Sequence, residues 1–144
     1  MAIPDKRVKR FVEDIDSRVS VGLDFPISRQ SGDTNGYFAT TKTTIDAIKN
    51  DIRLLLTTER GERLFQPFLG MNIRRFLFEQ ITDDTAVEIE NDIVDTFNTW
   101  LPFVQLREID IDLDDQDRNQ IKINITFNIE NTPTDLQSVG IVLE

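Results

Sequence analysis

Between Ile45 and Leu56 the apolar residues recur in steps of three and four: Ile45, Ile48, Ile52, Leu55 and Leu56. That spacing gathers them on one face of an amphipathic helix, expected over about residues 41–58. A short helix is expected over about residues 71–79, carrying Ile73, Phe76, Leu77 and Phe78. A third begins near residues 82–85 and carries Ala86, Ile89, Ile93, Phe97 and Trp100 on one stripe. Thr85 and Glu88 have the spacing of a capping box, Asp83 and Asp84 suit a helix N-terminus, and Pro102 stops the helix. Beyond it the period falls to two. Ile109, Ile111 and Leu113 alternate with acids, and Ile121, Ile123, Ile125, Phe127 and Ile129 alternate with polar residues. A final strand is expected through Val139, Ile141 and Leu143. Strict alternation gives each strand one buried and one wet face, the antiparallel pattern. Helices followed by a meander make the expected fold α+β, with about three helices packed on a C-terminal antiparallel sheet of about three strands.

The first forty residues lack this order. Val8, Phe11, Val12 and Ile15 suit a short helix, but GLDFP at 22–26 and SGDTNG at 31–36 read as turn and loop. We expect residues 1–40 to form an N-terminal arm and residues 41–144 a single α+β domain. The connector after the first helix is unusual. Gly61 ends the helix and Pro67 prevents early resumption. Between them lie Glu62, Arg63 and Phe65, and Phe68, Leu69 and Gly70 follow. Arginine often braces loops through its planar fork, so Glu62 and Arg63 are expected to tie the connector within the chain. Phe65 and Phe68 read most simply as lids over the helices, and Trp100 as core at a helix end.

Composition narrows the chemistry. The 144 residues contain neither Cys nor His, which removes disulfides, thiolate metal sites, the Ser-His-Asp triad and the commonest general base. No apolar run approaches the ~20 residues of a membrane span, and no secretory signal is expected. The net charge of −10 is uneven: residues 1–80 hold 13 Lys and Arg against 11 Asp and Glu, and residues 81–144 hold 3 against 15. An acidic half repels nucleic acid phosphates and suits a basic protein partner. Lys6, Arg7, Lys9 and Arg10 make a basic patch on the arm.

The acidic residues suggest a metal reading and a catalytic one. The run DIDLDDQD at 110–117 fails as a calcium loop: counted from Asp112, Asp117 stands where an EF-hand needs Gly and Ile123 where it needs Glu. A solvated hairpin over residues 114–120 fits better. Glu59, Glu62 and Glu79 are the candidates for a carboxylate pair that could hydrolyse a glycosidic bond. Arg60, Arg63, Arg74 and Arg75 are their sequence neighbours. Cations favour a charged carboxylate, whereas a general acid must hold its proton.

The pieces GLDFP at 22–26, LLLTTERGER at 54–63, QPFLG at 66–70 and LFEQ at 77–80 come in a telling order. In it the chain resembles the baseplate wedge, or sheath-initiator, family of contractile phage tails, once labelled lysozyme-like. Relatives occur in type VI secretion and contractile bacteriocins. The likeness runs from about Gly22 onward, with Leu69-Gly70 where Phe-Gly is frequent. The resemblance implies a structural, non-enzymatic subunit of a virion tail baseplate, assembled in the host cytoplasm and needing no cofactor. About six copies per particle would link the inner wedge to the first sheath ring and initiate sheath assembly by strand addition. Implied partners are other wedge proteins including a helical core bundle, the sheath protein and the tail tube, with no nucleic acid and no membrane. The expected partner-binding residues are Glu62, Arg63, Phe65 and Phe68 in the connector and Val139, Ile141 and Leu143 in the last strand. To these we add Leu101, Pro102 and Phe103, where many members carry Glu-Pro-Arg, so that an apolar clasp replaces a charged one. The alternative function is a carboxylate-based peptidoglycan hydrolase.

Overall fold

Strand β4, Ile121–Ile129, is the centre of a three-stranded antiparallel sheet, flanked by β3 (Val104–Asp112) and β5 (Thr132–Leu143). Its isoleucines at 121, 123 and 125, with Phe127, are wholly buried, as period-two alternation on a half-covered sheet requires. The computed structural model describes residues 18–29, 37–79, 82–112, 120–130 and 132–143. The expected helix around Val8–Ile15, the basic patch, the SGDTNG loop, Leu113 and most of the hairpin loop at 114–120 lie outside the described residues.

The chain divides into two compact units, residues 1–51 and 52–144, with the boundary inside helix α1, Thr44–Thr57. In the first unit, β1 (Gly22–Leu23) pairs antiparallel with β2 (Thr40–Thr41), and Arg29 bridges to Phe38. Asn50 on α1 donates to the Leu23 carbonyl at 3.3 Å and to Asp24 Oδ1 at 3.2 Å, fixing this hairpin beside the helix.

The second unit holds the rest of α1, a 3₁₀ helix (Ile73–Phe78), helix α2 (Asp83–Trp100) and the sheet. Ile52, Leu55 and Leu56 are buried, as are Ile89, Ile93 and Phe97 at steps of four along α2. Each large apolar side chain so buried contributes roughly 1.5–3 kcal/mol. The α2 cap lies one turn earlier than the Thr85–Glu88 spacing implied. Thr82 is the N-cap, its N–H donates to Thr85 Oγ1 at 3.2 Å, and the two hydroxyls lie 3.1 Å apart. Threonine thus takes the place of glutamate in the box.

Strand β3, Val104–Asp112, starts five residues before the expected Ile109. The cause is a bulge. Leu106 faces Phe127 and Glu108 faces Thr126, so Arg107 is an extra residue. Apolar residues therefore sit at even positions before it (Val104, Leu106) and odd positions after it (Ile109, Ile111), and the inserted residue keeps both sets on one face. Arg107 Nε donates to Asn128 Oδ1 at 2.7 Å, holding the bulge to the buried Asn128. Strand β5, Thr132–Leu143, is longer than the expected segment and runs in unbroken register from Gln137 opposite Phe127 to Leu143 opposite Ile121.

Candidate partner-binding surfaces

The connector between α1 and the 3₁₀ helix is a closed loop with its own polar frame. At its base the Met71 N–H donates to the Thr58 carbonyl at 2.9 Å, and across it the Gly61 N–H donates to the Pro67 carbonyl at 2.7 Å. Short i to i+3 bonds from Glu62, Gln66 and Leu69 fill the interval. Gly70 has φ +106°, and a Cβ there would collide with the Thr58 carbonyl oxygen, so only glycine closes the base. These features make it an Ω-like loop rather than a slack linker.

The bracing arginine is Arg60, not Arg63. Arg60 Nε donates to the Gly70 carbonyl at 3.2 Å, and its backbone N–H donates to Asn72 Oδ1 at 3.3 Å. Glu62 ties inward by accepting the Glu59 N–H at 3.1 Å. Glu59 itself lies 3.7 Å from Arg74 Nε. Arg63 is exposed, and its guanidinium makes no hydrogen bond or ion pair among the described residues; only its carbonyl is engaged, by the Gln66 N–H.

The lid reading of the connector aromatics fails. Phe65 is 95% exposed, Phe68 80% and Leu64 93%, because the loop folds on its own backbone bonds and turns these side chains outward. Leu64 was not singled out by sequence reasoning, and neither was Phe78 as a surface residue, although it is 87% exposed. The period of three in a 3₁₀ helix was the available signal: it turns Ile73 and Phe76 inward and leaves Phe78 outside. Two clefts flank these groups. One, of about 480 Å³, is lined by Glu59, Asn72, Arg74, Arg75, Leu77 and Phe78. The other, of about 270 Å³, lies between Arg60 and Phe68 and the last turns of α2, where Trp100 is half-buried rather than core.

The Leu101-Pro102-Phe103 trio is split by its turn. Leu101 caps α2, its N–H donating to the Phe97 carbonyl at 2.8 Å, and its side chain is buried. It is core and not contact surface, because a C-cap residue on the apolar stripe continues the buried face. Pro102 is exposed, and Phe103, 39% exposed, accepts the Glu130 N–H at 3.1 Å through its carbonyl.

Val139, Ile141 and Leu143 point into the core and are buried, so β5 can offer a partner only its backbone and its outward side chains. The sheet has two edges, and they differ. Strand β3 carries Arg107, Glu108, Asp110 and Asp112 and the bulge. Residues 136–143 of β5, LQSVGIVL, carry no charge and no proline. Leu136 and Val142 are 62% and 53% exposed. Charges and bulges are the usual means by which proteins blunt an edge, and β5 lacks them along this stretch.

No carboxylate is among the buried side chains of the described residues. Glu59 and Glu62 are exposed, Glu59 lying 3.7 Å from Arg74 Nε and Glu62 accepting the Glu59 N–H.

The chain is 23% identical over 136 residues to the baseplate wedge protein gp25 of Enterobacteria phage T4, covering 94% of this chain and 93% of that one. A solved structure of a candidate tail lysozyme from Geobacter sulfurreducens superposes with a TM-score of 0.62 at 24% identity, over 73% of this chain and 96% of the other. A chain of the anti-feeding prophage baseplate gives 0.56 at 23% identity, covering 83% and 81%. At these identities the superpositions establish the fold. The model of the family described as baseplate wedge protein gp25 matches residues 42–134, a span that takes in α1, the framed connector, α2 and most of the sheet, and the chain belongs to that family.

Proposed function

We propose that this chain is a non-enzymatic structural subunit of the tail baseplate of a contractile device. It is assembled in the host cytoplasm and present in about six copies around the tail tube. It joins the inner wedge, including a helical core bundle, to the first ring of sheath protein, and it starts sheath assembly by accepting a strand at its sheet. The wedge side uses the connector (Glu62, Arg63, Phe65, Phe68) and the Pro102-Phe103 turn, and the sheath side uses β5.

The observation that carries this reading is the asymmetry of the two sheet edges. An incoming strand needs a straight run of unpaired N–H and C=O groups, and β5 presents one in continuous register over Gln137–Leu143. The β3 edge offers four charged side chains and a kink at Arg107, which resist pairing. Backbone bonds would supply the affinity at β5, and the alternation of buried Val139 and Ile141 with exposed Val142 would set the register.

The test introduces lysine on this edge. Ser138→Lys with Val142→Lys alters only outward positions, so the domain and its incorporation into baseplates should survive while sheath polymerisation on those baseplates stops. Sheaths of normal length on baseplates carrying both substitutions would refute strand addition at β5. The purified chain should also leave peptidoglycan intact, and turnover lost in Glu62→Gln would refute the structural assignment.

A further inference from the structure

We infer that the connector docks by inserting its phenylalanines and arginines into an apolar groove rimmed by carboxylates on a neighbouring wedge subunit. The inference rests on the baseplate reading above and adds the chemistry of the partner.

Leu64, Phe65 and Phe68 lie within one short turn and are each at least 80% exposed, and Phe78 is 87% exposed beside the larger cleft. A phenylalanine side chain buries on the order of 150–250 Å², so Phe65 and Phe68 with Leu64 hold several hundred Å² of apolar surface on one loop. The loop that carries the first three is not slack. Its backbone is held by the Thr58–Met71 and Gly61–Pro67 bonds, the Arg60 brace and the Glu62 tie, so the side chains are presented without further ordering of the chain. Aromatic and arginine anchors on a fixed backbone are the usual make-up of interface hot spots.

The same frame excludes one mode of recognition. The N–H groups of Glu59, Arg60, Gly61, Glu62, Gln66, Leu69 and Met71 are all donated within the chain. The connector also contains no strand, so an extended peptide finds no strand edge here and recognition relies on the outward side chains.

Charge decides the sign of the partner. In a chain of net charge −10, residues 60–78 carry four arginines against a single carboxylate, Glu62, which already accepts a hydrogen bond. Arg63 has no ionic partner among the described residues, and the Arg74 pair at 3.7 Å is open to solvent. A partner surface that buries the phenylalanines must therefore bring a carboxylate to Arg63, whereas Arg74 and Arg75 already face Glu59 at 3.7 Å and Asp92 at 4.0 Å across solvent-exposed pairs that a partner carboxylate would share. The larger cleft, walled by Arg74, Arg75 and Phe78, can take a carboxylate side chain in return. Arginines with aromatics also suit single-stranded nucleic acid, but the overall charge opposes it.

The experiment adds purified chain to wedge assemblies made without it and measures retention by co-sedimentation at low and high salt. The parent chain should be retained, with affinity falling as salt rises. Arg63→Glu should weaken retention by roughly tenfold or more and flatten the salt dependence. Phe65→Ser with Phe68→Ser should abolish retention while the melting temperature stays that of the parent. Variants retained like the parent, or retention indifferent to salt, would overturn the inference. So would displacement by an excess of oligothymidylate, which would assign the surface to nucleic acid. Self-association of the purified chain that these variants abolish would also overturn it, by making a second copy the occupant. Failure here is separable from failure of the proposed function. If the connector variants still join the wedge while lysines on β5 still block sheath growth, the docking chemistry is wrong and the sheath assignment stands.

Discussion

In β4, Ile121, Ile123, Ile125 and Phe127 are fully buried, whereas Leu64, Phe65 and Phe68 in the connector stand almost wholly in solvent. Both segments belong to the same compact unit and draw on the same residue types. They differ in what holds their backbones. The strand is ordered by pairing on both sides and by the burial of its side chains, so its apolar residues are consumed by the fold. The loop is ordered by polar groups: a carbonyl of Thr58, an inward arginine, a glutamate and a glycine at positive φ. Its apolar residues are left over, free for contact with another molecule. Exposed apolar groups on a polar frame are what the proposed docking surface rests on, while the same groups on a strand contribute stability.

The contrast breaks most readily in the sheet. Ile123 faces Ile111 on one side and Ile141 on the other, so Ile123→Ala should lower stability by about 2–5 kcal/mol in urea unfolding. A loss of only a few tenths would mean that β4 is not the keystone. Next comes the closure of the connector. At Gly70 the Cβ of Gly70→Ala meets the Thr58 carbonyl at a φ that disfavours side chains, and a loss of about 2–4 kcal/mol is expected. Gly61 also has positive φ but open space around it, so Gly61→Ala should cost only about 1 kcal/mol. Equal effects at the two glycines would show that backbone conformation alone, and not the close approach to Thr58, sets the requirement.

Smaller still is the brace. Arg60→Ala removes the bond to the Gly70 carbonyl from an exposed residue and should cost about 1 kcal/mol, while Arg63→Ala should be neutral. The reverse ranking would mean that the two arginines exchange roles in solution. At the bottom of the scale, Phe65→Ser should move stability by less than about 0.5 kcal/mol, since the ring is 95% exposed among the described residues. A large loss of thermal stability would return Phe65 to the core and remove the basis of the docking inference.

Local periodicity explains which parts of this were legible beforehand. The α1 and α2 stripes and the alternation in β4 are repeated signals, each fixed by neighbours a few residues away. The first half of β3 was not legible, because one extra residue at Arg107 shifts the apolar set from even to odd positions and erases the period across the join. The cap of α2 was placed one turn late because Thr85 answers equally well to two spacings, and only the Thr82 N–H bond decides between them. At the connector, the sequence shows that apolar and charged residues are concentrated but not which way they face. Arg60 and Arg63 flank the same Gly-Glu pair, and their roles differ only because Gly70 and Asn72 return to meet one of them.

What could be derived from residue order alone is the α+β class, the composition that removes Cys and His chemistry, the charge imbalance and the family resemblance carried by the connector motifs. These depend on short-range pattern and on counting. The three-dimensional arrangement decided the rest: that β3 and β5 form the two edges, so that the uncharged stretch 136–143 lies on one edge and the charges of β3 on the other, that Leu101 is core while Phe103 reaches the surface, and that the connector aromatics face outward. Each of these turns on a contact between residues distant in the chain, such as Glu130 with Phe103 or Met71 with Thr58. Such contacts form only when closing the intervening loop is offset by burial and hydrogen bonding elsewhere in the fold.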